Sequence, residues 1–471
     1  MFVSCSDRGA PRAGKRRRQG FVLLTTAAMV LLVLLPSIGL AVDAGMMYLA
    51  QTLLSAACDA SSLAGARDLA RGADDNTQRA NAVTTANTFF YSNFPSGYFA
   101  SSNLQVTNVA ATDSTYMRSI TTTASVDLPF IFMRALGLNY TTLHASAKAT
   151  RRDVNIMIVM DRSGSLTNSG SCDPLKAAAV NFVDKFAEGR DNLGLVTFAT
   201  SSRVDFALST TFKTTVESTL NSLVCSGATS SAQALWQSYQ QLAGLAQTGA
   251  LNVILFFTDG RPTAVTESFP IKSGSGCNSH TAKLGVITPG YSSTTGAVTN
   301  TIYGLFNQNA TAQPMSSDLT VVATDHGCAF WSDNTKVTSD VSYAPLTDYW
   351  GNSLNATAYR TETTSGAGLS ITTGQNVENL STNAADHAAL RIRRGDPDAM
   401  NANRTLPGVV IYSIGLGNVD DVLLKRIAND PSLTPNPVAA GNAGRYVYAA
   451  DATDLNLAFT QVASELLRLA R

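Results

Sequence analysis

Apolar positions in this chain follow three regimes. From Phe21 to Val42 they are nearly continuous and uncharged. As a helix those residues would reach roughly 33 Å, enough to cross a bilayer core. Small and apolar residues then recur at helical spacing through Met46, Met47, Leu49, Leu53, Leu54 and Ala57. Between residues 75 and 150 one helix-like stretch, Thr77–Phe90, precedes three alternating runs. These are Gln105–Val109, Ser119–Leu128 and Thr141–Ala149, and they read as half-buried strands of a small α+β piece. Past Arg151-Arg152, short unbroken apolar runs take turns with amphipathic stretches.

This third regime predicts an α/β domain over residues 153–471. Val154–Met160 and Leu251–Phe257 are too uniformly apolar for one-sided strands, so both should be buried on two faces. Leu193–Ala199, Val409–Ile414 and Arg445–Ala449 add strands, with Arg203–Leu208 as a short edge strand. Helices are predicted at Cys172–Glu188, Thr211–Leu223, Ser230–Leu245, Ala384–Arg394, Asp420–Asn429 and Thr453–Leu469. Such alternation implies a doubly wound, mostly parallel sheet with one antiparallel edge.

One stretch breaks the pattern. From Pro262 to about Gln375 the chain is rich in Ser, Thr, Gly and Asn, with weak periodicity. A structureless loop of that length does not suit a compact domain, so an inserted lobe is expected, whose removal would spare the core strands. Its aromatics include Tyr291, Tyr303, Phe306, Tyr349 and Trp350. They suit a recognition surface or a small private core, the latter more so for Phe330 and Trp331 beside Cys328.

Composition adds the compartment. The chain has 471 residues, zero formal net charge and only 14% charged residues. Bulk electrostatics therefore favour no nucleic acid, and the low charge content suits an exported protein. Residues 1–19 carry Arg8, Arg12, Lys15, Arg16, Arg17 and Arg18 against Asp7. A basic tail before an apolar span stays in the cytoplasm and sends residues 43–471 outside. The expected division is a cytoplasmic tail (1–19), a transmembrane helix (20–42), a helix with a small α+β domain (43–150), and the α/β domain. A cleaved signal peptide is the competing reading, since Pro36 and Gly39-Leu40-Ala41 suit a peptidase. The length of the span and the helical pattern beyond it favour the anchor.

The candidate chemistry lies at strand ends. Val154–Met160 runs into Asp161-Arg162-Ser163-Gly164-Ser165, and Leu251–Phe257 into Thr258-Asp259-Gly260. Between them, Ser226-Gly227-Ala228-Thr229 opens a helix. Carboxylates and hydroxyls on tight loops at the carboxyl ends of strands suit a small hard cation. By contrast, His144, His280, His326 and His387 lack the spacing of zinc hydrolases. No Gly-x-Ser-x-Gly elbow or phosphate-binding glycine loop occurs, and Gly415-Leu416-Gly417 reads as a sheet-end turn. Nothing points to catalysis.

The three loops, in that order, resemble the metal-ion-dependent adhesion site of von Willebrand factor type A domains. The resemblance implies Mg²⁺ or Mn²⁺ held by Ser163, Ser165 and Thr229, with Asp161 and Asp259 largely holding its waters, and a partner carboxylate completing the shell. It also brings the loops carrying Cys172 and Cys225 together, so that a bridge between them is expected. Cys277 and Cys328, both in the insertion, form a second candidate pair in an oxidising compartment. Cys5 lies on the cytoplasmic side and Cys58 alone on the membrane-proximal helix.

The N-terminal segment is similar to TadE/TadG-type pilus-assembly proteins through Gly20, the span with Pro36, Ala41-Val42-Asp43-Ala44-Gly45, and Ala56-Ala57-Cys58-Asp59-Ala60-Ser61-Ser62-Leu63-Ala64-Gly65-Ala66. This resemblance implies an inner-membrane, periplasm-facing component of a tight-adherence pilus or secretion apparatus, whose protein partners are other assembly components. A surface adhesin for an external matrix protein or glycan is the alternative.

Overall fold

The structure is a computed structural model, which describes residues 23–69, 75–114, 116–273, 281–292, 297–306, 341, 343–355, 364–365, 368–398, 401–433 and 441–470. The chain divides into two compact units, one comprising residues 1–112 and 118–150, the other 113–117 and 151–471.

In the first unit the apolar pattern becomes a long helix. Residues 23–29 are helical, Val30–Leu34 widens to a π-helical turn, and α1 continues over Leu35–Asp68. The widening coincides with Pro36, whose missing N–H and bulky ring disfavour regular α-helix just before it. Among the described residues one helix is long and apolar enough to cross a membrane. Helix α2 (Asp75–Asn93) packs on α1, and Ser61 donates a hydrogen bond to the Ala86 carbonyl at 2.8 Å. A sheet in the order β1 (Ser102–Ser114), β2 (Met117–Pro129) and β3 (Tyr140–Arg152) completes the unit. The link between β2 and β3 carries a 3₁₀ turn, Met133–Leu136. The buried Asp43 of α1 ties it down, accepting hydrogen bonds from the backbone N–H groups of Ile131 (3.0 Å), Phe132 (3.0 Å) and Met133 (2.7 Å).

In the second unit, a six-stranded sheet is built from β4 (Val154–Asp161), β5 (Asn192–Phe198), β6 (Ser202–Ser209), β7 (Leu251–Thr258), β13 (Val410–Leu416) and β14 (Tyr446–Ala449). Its order is β14-β13-β7-β4-β5-β6. All neighbours are parallel except β5 and β6, the expected antiparallel edge. Every residue of β4 is buried. Ile156, Ile158 and Met160 face a core shared with α4 (Cys172–Val183), α5 (Lys213–Ser222) and α9 (Leu455–Leu469). Met157 and Val159 face the other core, shared with α6 (Ser231–Leu245), α7 (Gly374–Arg394) and α8 (Asp421–Ala428). A short helix α3 (Gly164–Asn168), not anticipated from the apolar pattern, follows β4.

The insertion departs from expectation. Its described part forms an antiparallel sheet, β10-β9-β8, from β8 (Val265–Phe269), β9 (Lys283–Tyr291) and β10 (Val298–Phe306). A two-stranded ribbon, β11 (Thr364–Ser365) with β12 (Gly368–Leu369), lies near its end. Val265, Phe269, Ile287, Ile302, Trp350 and Leu369 are buried in one cluster with Trp236, Ile254 and Phe256 of the main domain. The described part is thus not a detachable lobe with a private core, because its apolar face packs into the domain's own core. Helix α7 also starts ten residues before the predicted Ala384, at Gly374, where Thr373 and Asn376 form a reciprocal capping box. Cys277, Cys328, Phe330 and Trp331 lie outside the described residues.

Candidate functional site

Parallel strands place their carboxyl ends on one rim, and the central pair β4 and β7 ends in Asp161 and Thr258-Asp259. The Asp161 carboxylate is buried and held on both oxygens. The Ser163 backbone N–H donates to Oδ1 at 2.7 Å, and the Thr258 hydroxyl donates to Oδ2 at 2.6 Å. The Ser163 and Ser165 hydroxyls lie 3.0 Å apart. Ser165 donates to Asp259 Oδ1 at 2.7 Å, and Ser163 reaches the same oxygen at 3.4 Å. Four of the expected residues therefore form one hydrogen-bonded cluster that passes from buried Asp161 to exposed Ser165.

Thr229, on the second loop, lines the same cleft as Ser165. The backbone zips that loop to the first: Ser226 N–H donates to the Arg162 carbonyl at 2.7 Å and Gly164 N–H to the Gly227 carbonyl at 2.9 Å. Gly227 has φ +100°, which a residue with a side chain rarely adopts. Thr263 holds Thr229 from the third loop. The Thr229 N–H donates to Thr263 Oγ1 at 3.1 Å, and the Thr263 N–H donates to the Thr229 carbonyl at 2.9 Å. Thr229, Ser165, Gly164 and Gly260 line one cleft of about 1060 Å³. The Cys172–Cys225 disulfide joins the first two loops, with Cα atoms 6.2 Å apart, and Thr167 donates to the Cys225 carbonyl at 2.6 Å.

Electrostatics make this a site short of positive charge. Burial, then the neighbouring Asp259, pushes the Asp161 carboxyl well above its ordinary value, against the hydrogen bonds from Thr258 and Ser163. Burial raises Asp259 as well. Two carboxylates sharing a cavity disfavour their joint ionisation unless a cation intervenes. The donors are all oxygens, three hydroxyls and two carboxylates, which is the chemistry of Mg²⁺ or Mn²⁺ rather than of a soft metal. No cluster of three His, Cys, Asp or Glu side chains suited to a metal occurs among the described residues.

Three neighbours stand beside the expected metal-site residues without having been counted among them. Thr258 was legible as the residue before Asp259, and Thr263 lies within the same turn. Tyr291 comes from the insertion, and only the fold brings it to the cleft. Burial first, and then the Glu378 and Asp161 charges, raise the pKa of its hydroxyl against a hydrogen bond with the Thr263 side chain. The residue as a whole is 40% exposed. Across the cleft, Arg261 pairs with the buried Glu378 of α7 at 3.2 Å.

Residues 156–261 match the von Willebrand factor type A domain family, and residues 20–68 match the Flp pilus-assembly TadE/G-like family. No match was found among curated protein sequences. Solved structures similar to the chain include the PilB minor pilin from Streptococcus sanguinis, 14% identical, covering 78% of each chain with a TM-score of 0.37. The pilus adhesin SpaC from Lactobacillus rhamnosus GG is 14% identical over 78% of this chain but only 35% of its own, with a TM-score of 0.37. The von Willebrand factor domain of the type V pili tip protein Mfa5 from Porphyromonas gingivalis is 16% identical over 69% of this chain and 98% of its own, again with a TM-score of 0.37. At these values the structural likenesses carry no argument about function. The two family matches make the chain TadG-like, a TadE/G-like N-terminal segment joined to a von Willebrand factor type A domain.

Proposed function

We propose that this TadG-like chain is a membrane-anchored component of a tight-adherence pilus assembly or secretion apparatus. It faces the periplasm and holds a protein partner through a divalent metal at the cluster of Asp161, Ser163, Ser165, Thr229 and Asp259. The observation that carries the reading is the hydrogen-bonded convergence of Asp161, Ser163, Ser165 and Asp259, which opens through Ser165 onto a cleft that Thr229 also lines. A bound Mg²⁺ or Mn²⁺ would supply the positive charge this cluster lacks and an open position for a partner carboxylate.

The protein residues do the rest. Ser163, Ser165 and Thr229 offer neutral lone pairs, which leave the cation under-neutralised and receptive to an anionic ligand. Asp161, pinned by Thr258 and the Ser163 N–H, cannot swing to take that place. Arg261 and Tyr291 flank the opening and suit the contacts beside an acidic side chain. No catalytic step is proposed.

Membrane anchorage rests on the TadE/G-like match and the apolar helix. The basic residues before the span support the periplasmic orientation. A reporter fused after Arg471 should be active only outside the cytoplasm, and cytoplasmic activity would refute the topology. For the metal, calorimetry with Mg²⁺ should show binding to the wild type and none to the Asp161→Ala, Asp259→Ala double variant. Equal affinities would end the metal-site reading. Crosslinking in cells then separates assembly components from an external matrix or glycan ligand, the adhesin alternative.

A further inference from the structure

The link between β2 and β3 in the first unit is unusually apolar for a connection between strands. Residues 130–140 read Phe-Ile-Phe-Met-Arg-Ala-Leu-Gly-Leu-Asn-Tyr, with Arg134 the single charge. The segment is nevertheless ordered by its own hydrogen bonds. Phe130 N–H donates to the Asn139 carbonyl at 3.0 Å, and Leu138 N–H to the Met133 carbonyl at 3.2 Å. Phe130 is buried and anchors the segment, while most of the other side chains are exposed. Ile131 is 59% exposed, Phe132 48%, Leu136 75%, Leu138 49% and Tyr140 60%. A contiguous apolar surface of this kind marks a contact with another apolar phase.

The position of the segment identifies that phase. It is docked on α1 through Asp43, whose carboxylate caps three of its backbone N–H groups. It is also seated against Gly39, where a Cβ would lie 2.6 Å from Phe132 Cβ, so glycine is needed for this approach. Gly39 and Asp43 straddle the end of the apolar span at Val42 and are separated by about 6 Å of helix rise. Leu40 (52%) and Val42 (42%), beside Gly39 and Asp43 on the helix, are exposed apolar side chains as well. Tyr48 and Tyr140 are both exposed, in the manner of rings that sit at a membrane–water boundary.

We propose that residues 130–140 form a second membrane contact, an interfacial wedge that enters the lipid at the face where the α1 span ends. Ile131, Phe132, Leu136 and Leu138 contact acyl chains near the headgroups, and Arg134 extends to lipid phosphate. Asp43 satisfies backbone N–H groups that would otherwise be stranded in a poorly hydrated layer. The wedge rests on the reading of α1 as a membrane span. It would fix the tilt and rotation of the helix, because the span is then held at two points rather than one.

The test uses the full chain reconstituted into phosphatidylethanolamine–phosphatidylglycerol vesicles, with or without bromine on the acyl chains. Single substitutions Ile131→Trp and Leu136→Trp report the wedge, Leu31→Trp the span and Val109→Trp an exposed position on β1. Emission of the wild type, from Trp236, Trp331 and Trp350, is subtracted. Brominated lipid should quench Ile131→Trp and Leu136→Trp as strongly as Leu31→Trp and leave Val109→Trp unchanged. Quenching at Leu31 without quenching at 131 and 136 overturns the wedge while keeping the span. Absence of quenching at all three removes the span itself and the wedge with it. Quenching at 131 and 136 that emerges only on dilution of the protein in the bilayer assigns the surface to a second copy, which also overturns the proposal.

Discussion

Thr258, the last residue of β7, donates its hydroxyl at 2.6 Å to the carboxylate of Asp161, the last residue of β4. The bond joins the ends of two adjacent strands and fixes the direction of a buried anion. Thr258→Val keeps the shape of the side chain and removes the donor. It should leave the fold intact and lower Mg²⁺ affinity by about 10–100-fold, the range found when partners behind metal ligands are lost. Because Asp161 is biased toward its protonated form without a cation, binding must displace that proton. Calorimetry should therefore show affinity rising with pH, and pH-independent binding would remove Asp161 from the site.

The Cys172–Cys225 bridge closes a segment with a sequence separation of 53 residues, which includes β5, β6 and α5. Chain-entropy arguments put its contribution at up to about 4 kcal/mol. The Cys172→Ser, Cys225→Ser double variant should unfold at lower denaturant by up to that amount. It should also lose Mg²⁺ affinity, since Cys225 begins the segment that positions Thr229. Unchanged affinity in the folded variant would show that the backbone bonds between the loops suffice.

Ile302 of the insertion and Ile254 of the central strand β7 are both fully buried in one cluster. Ile302→Ala should cost about 2–5 kcal/mol, as for any fully buried isoleucine. Replacement of residues 265–373 by a Gly/Ser linker should leave the domain unfolded, with loss of its near-ultraviolet circular dichroism. A folded product would restore the detachable lobe expected from composition.

Glu267 of β8 is buried, and its Oε2 has no hydrogen-bond partner among the described residues. Burial and then the charge of Asp348 push its pKa up to about 7, while burial pushes Asp348 in turn up to about 6. A carboxyl raised in the folded state favours folding most below its unfolded pKa, and that contribution is lost as pH rises through the folded value. Stability from this pair should therefore decline between about pH 4 and pH 7. Glu267→Gln should flatten that decline and stabilise the protein at pH 8 by about 1–3 kcal/mol. Parallel pH profiles of the unfolding midpoint for variant and wild type would refute the assignment.

These cases show what the linear pattern could carry. β4 and β7 were legible because two-sided burial leaves an unbroken apolar run, and Asp161, Ser163, Ser165 and Asp259 because they sit where such runs stop. The first half of α7 was not. Glu378, Ser381, Thr382 and Asn383 are buried there, so the buried face looks polar in sequence. Ser381 and Thr382 satisfy their hydroxyls on the helix's own carbonyls, and Asn383 donates to the Leu354 carbonyl at 3.0 Å. The strands β9 and β10 were hidden by Gly285, Pro289, Gly290 and Gly304, residues that weaken strand propensity. Tyr291 joins the cleft only through a tertiary contact, for which local sequence has no signal.

The sheet order carries a cost in time. β7 pairs with β13, residue Val253 beside Val410 and Thr258 beside Gly415, across the whole insertion and α7. At translation speeds of roughly 5–20 residues per second, about 150 residues of delay keep the edge of β7 without its neighbour for roughly 8–30 s. Leu251–Phe257 contains no charge and no proline and is rich in β-formers. Such a stretch pairs readily with copies of itself while it waits. Leu251–Phe257 is therefore the stretch of this sheet most open to mispairing until Val410–Leu416 arrives.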